Sequence, residues 1–556
     1  MRQTCLMLTL LLLCAASSGA PALGQTAVPA TPDPTVVGDL AGVDPLPLTA
    51  DRLAAFEAYV SDMLAKTGVP GAAVAVVQDG RVVYQQGFGV RDRGGSEPVL
   101  PDTLMMIGSI TKPMTVTMAA TVVDDGRLSW DTPIVDVLPT FGVADPALTR
   151  RLTLRHAFCA CTGLPQRDPE FLFTSATMTP ARLIASVRDF PLTAPLGEQF
   201  QYSNQLFAIG GYAAAARATP GEPDLYDAYV AAMRERLLEP LGMGRSTFAL
   251  DRVFASGNYA EPHGLDLAGS YRPVSLSDDQ RHVTSVAPAG ALWSSASEMA
   301  RFVQLELARG VAPDGARIVS RENLEATWQR QVTIAASVNP EVPPEFVAMA
   351  QGYGSGWVIG DYRGQRMLWH SGGTFGYSAQ AALLPDAGLG LVVLTNGINA
   401  ELFTLAVQFR LFELVFAQPA SFDPVIAAAI AATAQGRAAL QQQLAPVDRA
   451  DVAPYLGRYR SDVLGEVEIE MGENTLILDA GEFRAELLPL DDPGIPARTF
   501  LTPDLPLAGP ASVTFTAGGA TPVMTFTDPT TGEAYTFAFA GAGRPSATPS
   551  ASTEGS

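Results

Sequence analysis

At 556 residues the chain is longer than a single hydrophobic core supports, so two folded domains are expected. Its 47% hydrophobic and 17% charged residues, with 51 Gly and 43 Pro, exclude a disordered or coiled-coil chain and describe a loop-rich globular one. A net charge of −21 and a pI near 4.6 argue against nucleic acid or an anionic membrane surface as partner.

Residues 1–24 read as an export signal, which predicts a secreted or periplasmic protein. Arg2 is followed by the apolar run Leu6 to Leu13, and Ala22-Leu23-Gly24 offers a small-x-small cleavage site. The run is too short to anchor the mature chain in a bilayer, so no transmembrane segment is expected there. A lipoprotein reading through Cys14 is weaker, because the bulky Leu13 precedes it. Residues 25–46, rich in Pro, Ala, Thr and Asp, read as an extended leader.

From about residue 47 the pattern becomes structured. Two apolar runs around Gln78-Asp79-Gly80-Arg81 predict a hairpin within Val74 to Val90. A helix is predicted from Ser109 to Val123, stopped by Asp124-Asp125-Gly126. Helical segments and Pro/Gly loops fill residues 130–345. Strands return at Gly356 to Gly360, Arg366 to His370, Ser378 to Leu384 and Leu389 to Thr395. Strands at both ends with helices between predict an α+β domain over 47–418 whose first and last strands share one sheet.

Residues 419–448, with the Ala/Gln-rich run Ala427 to Gln443, read as a helical linker. Short alternating strands over 449–541 predict a small antiparallel barrel or sandwich. The expected strands are Gly465 to Met471, Thr475 to Leu478, Ser512 to Thr516, Met524 to Phe526 and Glu533 to Phe539. The Ser/Pro/Ala/Thr-rich tail, 542–556, is expected to be disordered.

The chemistry starts from lysine usage. Only Lys66 and Lys112 balance 34 arginines, and Lys112 lies in Gly108-Ser109-Ile110-Thr111-Lys112-Pro113. A guanidinium stays protonated in a protein, whereas a buried ammonium shifts its pKa and can act as a base. Three residues apart on a helix, Ser109 and Lys112 share a face, and Pro113 places them in the first turn. There the helix dipole favours a developing alkoxide, and a Ser hydroxyl needs such a neighbouring base to become a nucleophile. The second element is Tyr202-Ser203-Asn204, where a phenol near an ammonium is expected to have a depressed pKa and shuttle protons. The third is His370-Ser371-Gly372-Gly373, placed by the pattern at a strand end, its glycines leaving room for a substrate backbone.

Ser-x-x-Lys, Tyr-x-Asn and His-x-Gly occur here in the order of the signature shared by β-lactamases and penicillin-binding proteins. The chain resembles the class C β-lactamase branch of that superfamily, with its D,D-carboxypeptidase, D-aminopeptidase and family VIII esterase relatives. Supporting runs are Thr162-Gly163-Leu164-Pro165, Pro288-Ala289-Gly290-Ala291-Leu292-Trp293-Ser294, Tyr353-Gly354-Ser355-Gly356-Trp357 and Gly390-Leu391-Val392-Val393-Leu394-Thr395-Asn396. The resemblance covers about residues 50–415. It implies a β-lactamase/transpeptidase-like domain, an antiparallel sheet flanked by helices plus a helical lobe, and an acyl-serine mechanism. Ser109 would be the nucleophile, with Lys112 and Tyr202 sharing acid and base work. Asn204 and His370 would bind substrate with Gly372 and Gly373, and the N–H groups of Ser109 and Gly373 would form the oxyanion hole. His370 stands where the K-T-G lysine offers a permanent charge. That departure points to peptidases and esterases rather than efficient β-lactamases.

Small esters, D-amino-acid peptides or amides, and β-lactams all remain open as substrates. The competing reading is a penicillin-recognising or peptidoglycan-binding protein that acylates without useful turnover. No cofactor or metal is expected: His156, His263 and His282 lack ligand spacing, and there is no H-E-x-x-H or G-x-S-x-G. His263 reads either as structural or as lining the cleft. Cys159 and Cys161, one residue apart, are badly placed for an unstrained disulfide and are read as small buried hydrophobes. The C-terminal barrel resembles the lipocalin-like domains appended to some of these hydrolases, either restricting the cleft or stabilising the protein.

Overall fold

The computed structural model describes residues 38–276, 282–335, 347–444, 447–473, 475–490, 498–502, 510–518 and 521–543. The expected signal segment 1–24, most of the leader and most of the tail lie outside the described residues. The chain divides into two compact units. The first holds residues up to Phe171 and Ser175–Ala438; the second holds Leu172–Thr174 and the chain from Ala439 onward.

In the first unit, described strands β1 (Gly71–Gln78), β2 (Arg81–Gly89), β3 (Val332–Thr333), β4 (Gly352–Tyr353), β5 (Val358–Tyr362), β6 (Gln365–Gly373), β7 (Ser378–Leu384) and β8 (Leu389–Thr395) form one sheet. Their order is β2-β1-β8-β7-β6-β5-β4-β3, and every paired neighbour is antiparallel. The first and last strands in sequence thus pair directly within one sheet, with Val74 opposite Val393. Asp79 and Gly80 both take positive φ, 52° and 73°, the geometry of a tight hairpin whose twist matches its strands.

Because β1, β7 and β8 are buried along their whole length, they read as continuous apolar runs rather than alternating ones. Helices α1 (Ala50–Thr67) and α5 (Glu401–Val415) cover one face, where Phe56, Val60 and Phe403 join Val74, Val76, Leu391 and Val393 in one core. Helix α4 (Ala296–Leu307) covers the other, with Val303 packed where Gly390 leaves space. A separate helical lobe closes around Leu152, Leu164, Ile209 and Ala213.

Helix α2 (Thr111–Asp124) is buried all round from Thr111 to Val122. Such a helix has no solvent stripe, which explains the run of small and apolar residues that follows Lys112. Helix α3 (Asn204–Ala218) is similarly enclosed and begins at the Ser203 cap, whose Oγ accepts from the Leu206 N–H.

The described strands of the second unit close into an eight-stranded antiparallel barrel, β9 to β16. They are Gly457–Ser461, Gly465–Met471, Leu476–Asp479, Arg484–Pro489, Thr499–Thr502, Ala511–Gly518, Thr521–Thr527 and Ala534–Gly541. Its interior is filled with side chains, including Phe173 from the early segment, whose ring lies 4.9 Å from Phe483 and 5.1 Å from Phe526.

Two expectations are corrected. Cys159 and Cys161 form a disulfide. Ala160 between them takes a left-handed φ of 50°, which folds the chain back and brings the two Cα atoms to 5.1 Å, within disulfide range. Both cysteines are buried, as expected. His370 is not at a strand end, because β6 runs on through Gly373, paired to Ser378.

Candidate active site

Ser109 sits in a 3-10 turn, Gly108–Ile110, that leads directly into α2. Gly108 takes φ 52°, and a Cβ there would meet the Gly373 amide nitrogen at 2.6 Å. A Cβ on Gly372 would lie 2.0 Å from the Ile107 carbonyl oxygen and 3.2 Å from the Ser109 nitrogen. Only glycines let the edge of β6 lie this close to the nucleophile's turn. The N–H groups of Ser109 and Gly373 are thereby carried on adjoining backbone segments. Ser109 is partly exposed and Gly373 exposed, whereas Lys112 is 0% exposed.

Lys112 Nζ has three partners. It lies 3.0 Å from Ser109 Oγ and donates to Asn204 Oδ1 at 2.7 Å and to the Ala289 carbonyl at 2.8 Å. It also sits 4.6 Å from the centre of the Tyr202 ring. The Tyr202 hydroxyl donates to Ser109 Oγ at 3.0 Å. The short sequence Tyr-Ser-Asn achieves this because Ser203 caps α3: Tyr202 precedes the helix and Asn204 opens it. Asn204 Nδ2 in turn donates to both carboxylate oxygens of Asp168, at 3.0 and 3.2 Å.

His370 is completely buried. Its Nδ1 lies 2.6 Å from the Ser371 carbonyl and its Nε2 3.2 Å from the Tyr353 hydroxyl. A carbonyl only accepts, which places the proton on Nδ1 and makes Nε2 the acceptor of the Tyr353 hydrogen. Both ring nitrogens of this expected substrate-binding residue are engaged.

The electrostatics follow from burial. Desolvation pushes the Lys112 amine well below its ordinary range, opposed by the Asp168 charge. Burial, followed by the neighbouring Lys112, pushes His370 down to about 3, so the imidazole is neutral. The expected depression of Tyr202 is corrected: burial raises its pKa, and the bond to Ser109 offsets only part of this. Tyr353 is raised well above the ordinary tyrosine value by burial as well.

The structure therefore brings Ser109, Lys112, Tyr202 and Asn204 into one bonded cluster, with Gly372 and Gly373 beside it. His263 serves the backbone instead, its Nδ1 paired with the Asn396 carbonyl at 2.8 Å and its Nε2 accepting from the Arg93 N–H. Three participants carry no signal in the motifs: Asp168, the Ala289 carbonyl and Tyr353. The last two lie in runs that support the family resemblance. Asp168 lies three residues beyond Thr162-Gly163-Leu164-Pro165. Among the described residues no group of three or more His, Cys, Asp or Glu is placed to hold a metal ion. Among the same residues no helix is long and apolar enough to cross a membrane.

A family model described as Beta-lactamase matches residues 56–406, the span that carries this cluster. The chain belongs to the beta-lactamase family. Within it, the protein is 30% identical over 375 residues to Penicillin-binding protein 4 of Amycolatopsis lactamdurans, covering 66% of this chain and 93% of that one. It is 29% identical over 351 residues to the unguisins hydrolase ungD' of Aspergillus campestris, covering 61% of each chain. A solved structure, the octameric penicillin-binding protein homologue from Pyrococcus abyssi, shares the fold with a TM-score of 0.55 at 21% identity. It covers 87% of this chain and 99% of its own. Beta-lactamase-family proteins of this kind are serine hydrolases, and the α+β architecture followed by a closed barrel is the expected one.

Proposed function

We propose that this protein hydrolyses acyl substrates through a covalent intermediate on Ser109, with Lys112 as base and Tyr202 as acid. The observation that carries the reading is the division of bonds around Lys112 Nζ. A neutral amine has two N–H groups and one lone pair. The Ala289 carbonyl and Asn204 Oδ1 can only accept, so they take the two N–H groups. The lone pair is left for the Ser109 hydroxyl, 3.0 Å away.

In the first step the Ser109 O–H bond breaks as an N–H bond forms on Lys112. Oγ adds to the acyl carbon, and the carbonyl π pair moves onto oxygen. The N–H groups of Ser109 and Gly373 are the donors assigned to that oxyanion, each worth about 3–4 kcal/mol in comparable sites. When the tetrahedral adduct collapses, the leaving group takes the Tyr202 hydroxyl proton and Lys112 returns its proton to Tyr202. Its raised pKa suits Tyr202 to this acid role. Water then repeats the sequence to release the acyl group.

The substrates are small esters, D-amino-acid-containing peptides or amides, or β-lactams, with esters and D-peptides favoured. A neutral, buried His370 offers no permanent cation to a substrate carboxylate, which supports that preference. The export signal read in the sequence of residues 1–24 supports a reaction outside the cytoplasm. A panel of p-nitrophenyl esters, D-alanyl amides and nitrocefin, run with wild type and Ser109→Ala, tests the proposal. Turnover of at least one class that disappears in Ser109→Ala is expected. Covalent labelling without turnover of any would favour the acylating binding protein, a reading supported by the name of its Amycolatopsis relative.

A further inference from the structure

We infer that Asp168 is a positioning residue for acylation: its carboxylate fixes the Asn204 amide with oxygen toward Lys112, which keeps the lysine lone pair on Ser109. The inference rests on the acyl-serine reading above. Asp168 opens a short helix, Asp168–Leu172, directly after the loop that follows Thr162-Gly163-Leu164-Pro165. The segment is held in place by Gln166, which donates to Asp168 Oδ2 at 2.5 Å. It is also held by the Arg167–Glu170 ion pair at 3.2 Å, with Arg167 4.9 Å above the Phe190 ring. A firmly placed acceptor therefore faces the Asn204 amide.

An amide side chain has two nearly isosteric ends, and its bonding partners decide which end points where. Here a carboxylate receives both contacts from Nδ2, and Lys112 receives the oxygen. Rotating the amide by half a turn would set its oxygen against two carboxylate oxygens. It would also aim Nδ2–H at Lys112, where a neutral amine would accept that hydrogen with the lone pair needed for Ser109. Without Asp168 the first of these penalties vanishes, and the unproductive rotamer competes with the productive one.

Asp168 also acts through charge. The titratable groups facing Lys112 are Tyr202 ahead of α3, Tyr353 on β4, His370 on β6 and Asp168 itself. The two phenols are held protonated and the imidazole neutral, and the Asp168 carboxylate acts on Lys112 through its charge. Its field raises the proton affinity of Lys112. The two flanking charges, Arg167 and Glu170, are paired with each other.

The rate of labelling by a fluorophosphonate, followed across pH, separates the two contributions. Asp168→Asn keeps an acceptor for Asn204 Nδ2 and removes the charge, so the acid limb of the profile is expected to move to lower pH. Asp168→Ala removes both, and its maximal labelling rate is expected to fall by on the order of 10- to 100-fold, a loss typical of misplaced reacting groups. With a turned-over substrate the same loss is expected in kcat, with KM little changed. Asp168→Glu should recover part of the rate. If Asp168→Ala does not fold, the Asn and Glu variants still decide, since a purely structural role leaves the acid limb in place. Labelling of Ser109→Ala at the wild-type rate would overturn the acyl-serine reading and this inference with it. A silent Ser109→Ala beside Asp168 variants of wild-type rate and profile would overturn the role of Asp168 alone.

Discussion

Replacing Lys112 by Met separates the chemistry of this residue from its packing. Met matches the length of the lysine stem, carries no proton and leaves the site at its present volume. Lys112 is 0% exposed, and burial depresses its pKa well below the usual range. The unfolded chain holds this proton up to about pH 10.4, whereas the folded chain releases it at lower pH. Between those two values the unfolded state binds one proton more at this site, so the contribution of Lys112 to stability rises with pH. The slope is about 1.4 kcal/mol per pH unit. The contribution is complete above the unfolded value and is lost as pH falls toward the folded one. The Lys112→Met variant has no such dependence, and every other titrating group, Lys66 included, is common to both proteins. The difference between wild type and variant therefore carries the slope. The three contacts given up by the ammonium or amine, each worth about 1 kcal/mol, add an offset that does not vary with pH in this window. Urea denaturation of both proteins from neutral to alkaline pH measures it. A difference that stays flat to the alkaline end would mean that Lys112 keeps its proton when folded, and the general-base assignment would fail.

Three further outcomes follow from the same structure. Gly372→Ala places a Cβ 2.0 Å from the Ile107 oxygen, so β6 must retreat from the Ser109 turn. Labelling should slow by about 100-fold while the circular dichroism spectrum is kept, and a wild-type rate would contradict the proposed oxyanion site. A chain unfolded without reductant should show Cys159 and Cys161 blocked to alkylation, both reacting after treatment with a dithiol. Free thiols before that treatment would contradict the bridge. Phe173→Ala empties a position inside the barrel core and should lower the stability of the barrel unit by about 3–5 kcal/mol. Calorimetry that leaves the barrel transition unmoved would refute that packing.

What was legible in the sequence is what local pattern controls. The bounds of β7 and β8 are those of the apolar runs Ser378 to Leu384 and Leu389 to Thr395, because both strands are buried on both faces. Ser109 and Lys112 were legible because one helical turn fixes their separation, and Tyr202 with Asn204 because a single capping serine stands between them. The barrel strands Gly457–Ser461 and Thr499–Thr502 are too short and carry too few apolar positions to declare themselves, and Arg484–Pro489 also lies outside the expected set. Asp168 was invisible for another reason: its role arises from a bond to a residue 36 positions away, which no local spacing encodes. The disulfide escaped because it depends on a left-handed alanine, a conformation the sequence does not announce. The direction of the Tyr202 shift is opposite to the expected one because desolvation of the phenol dominates it, and that burial exists only in the assembled fold.

The most direct test of the account is the location of the covalent adduct. After brief exposure to a fluorophosphonate, digestion and mass spectrometry should find one adduct per chain, on the peptide containing Ser109. The adduct should be absent from Ser109→Ala and strongly slowed in Lys112→Met. An adduct on any other residue, or none on the wild-type protein, would contradict the assignment of Ser109 as the nucleophile.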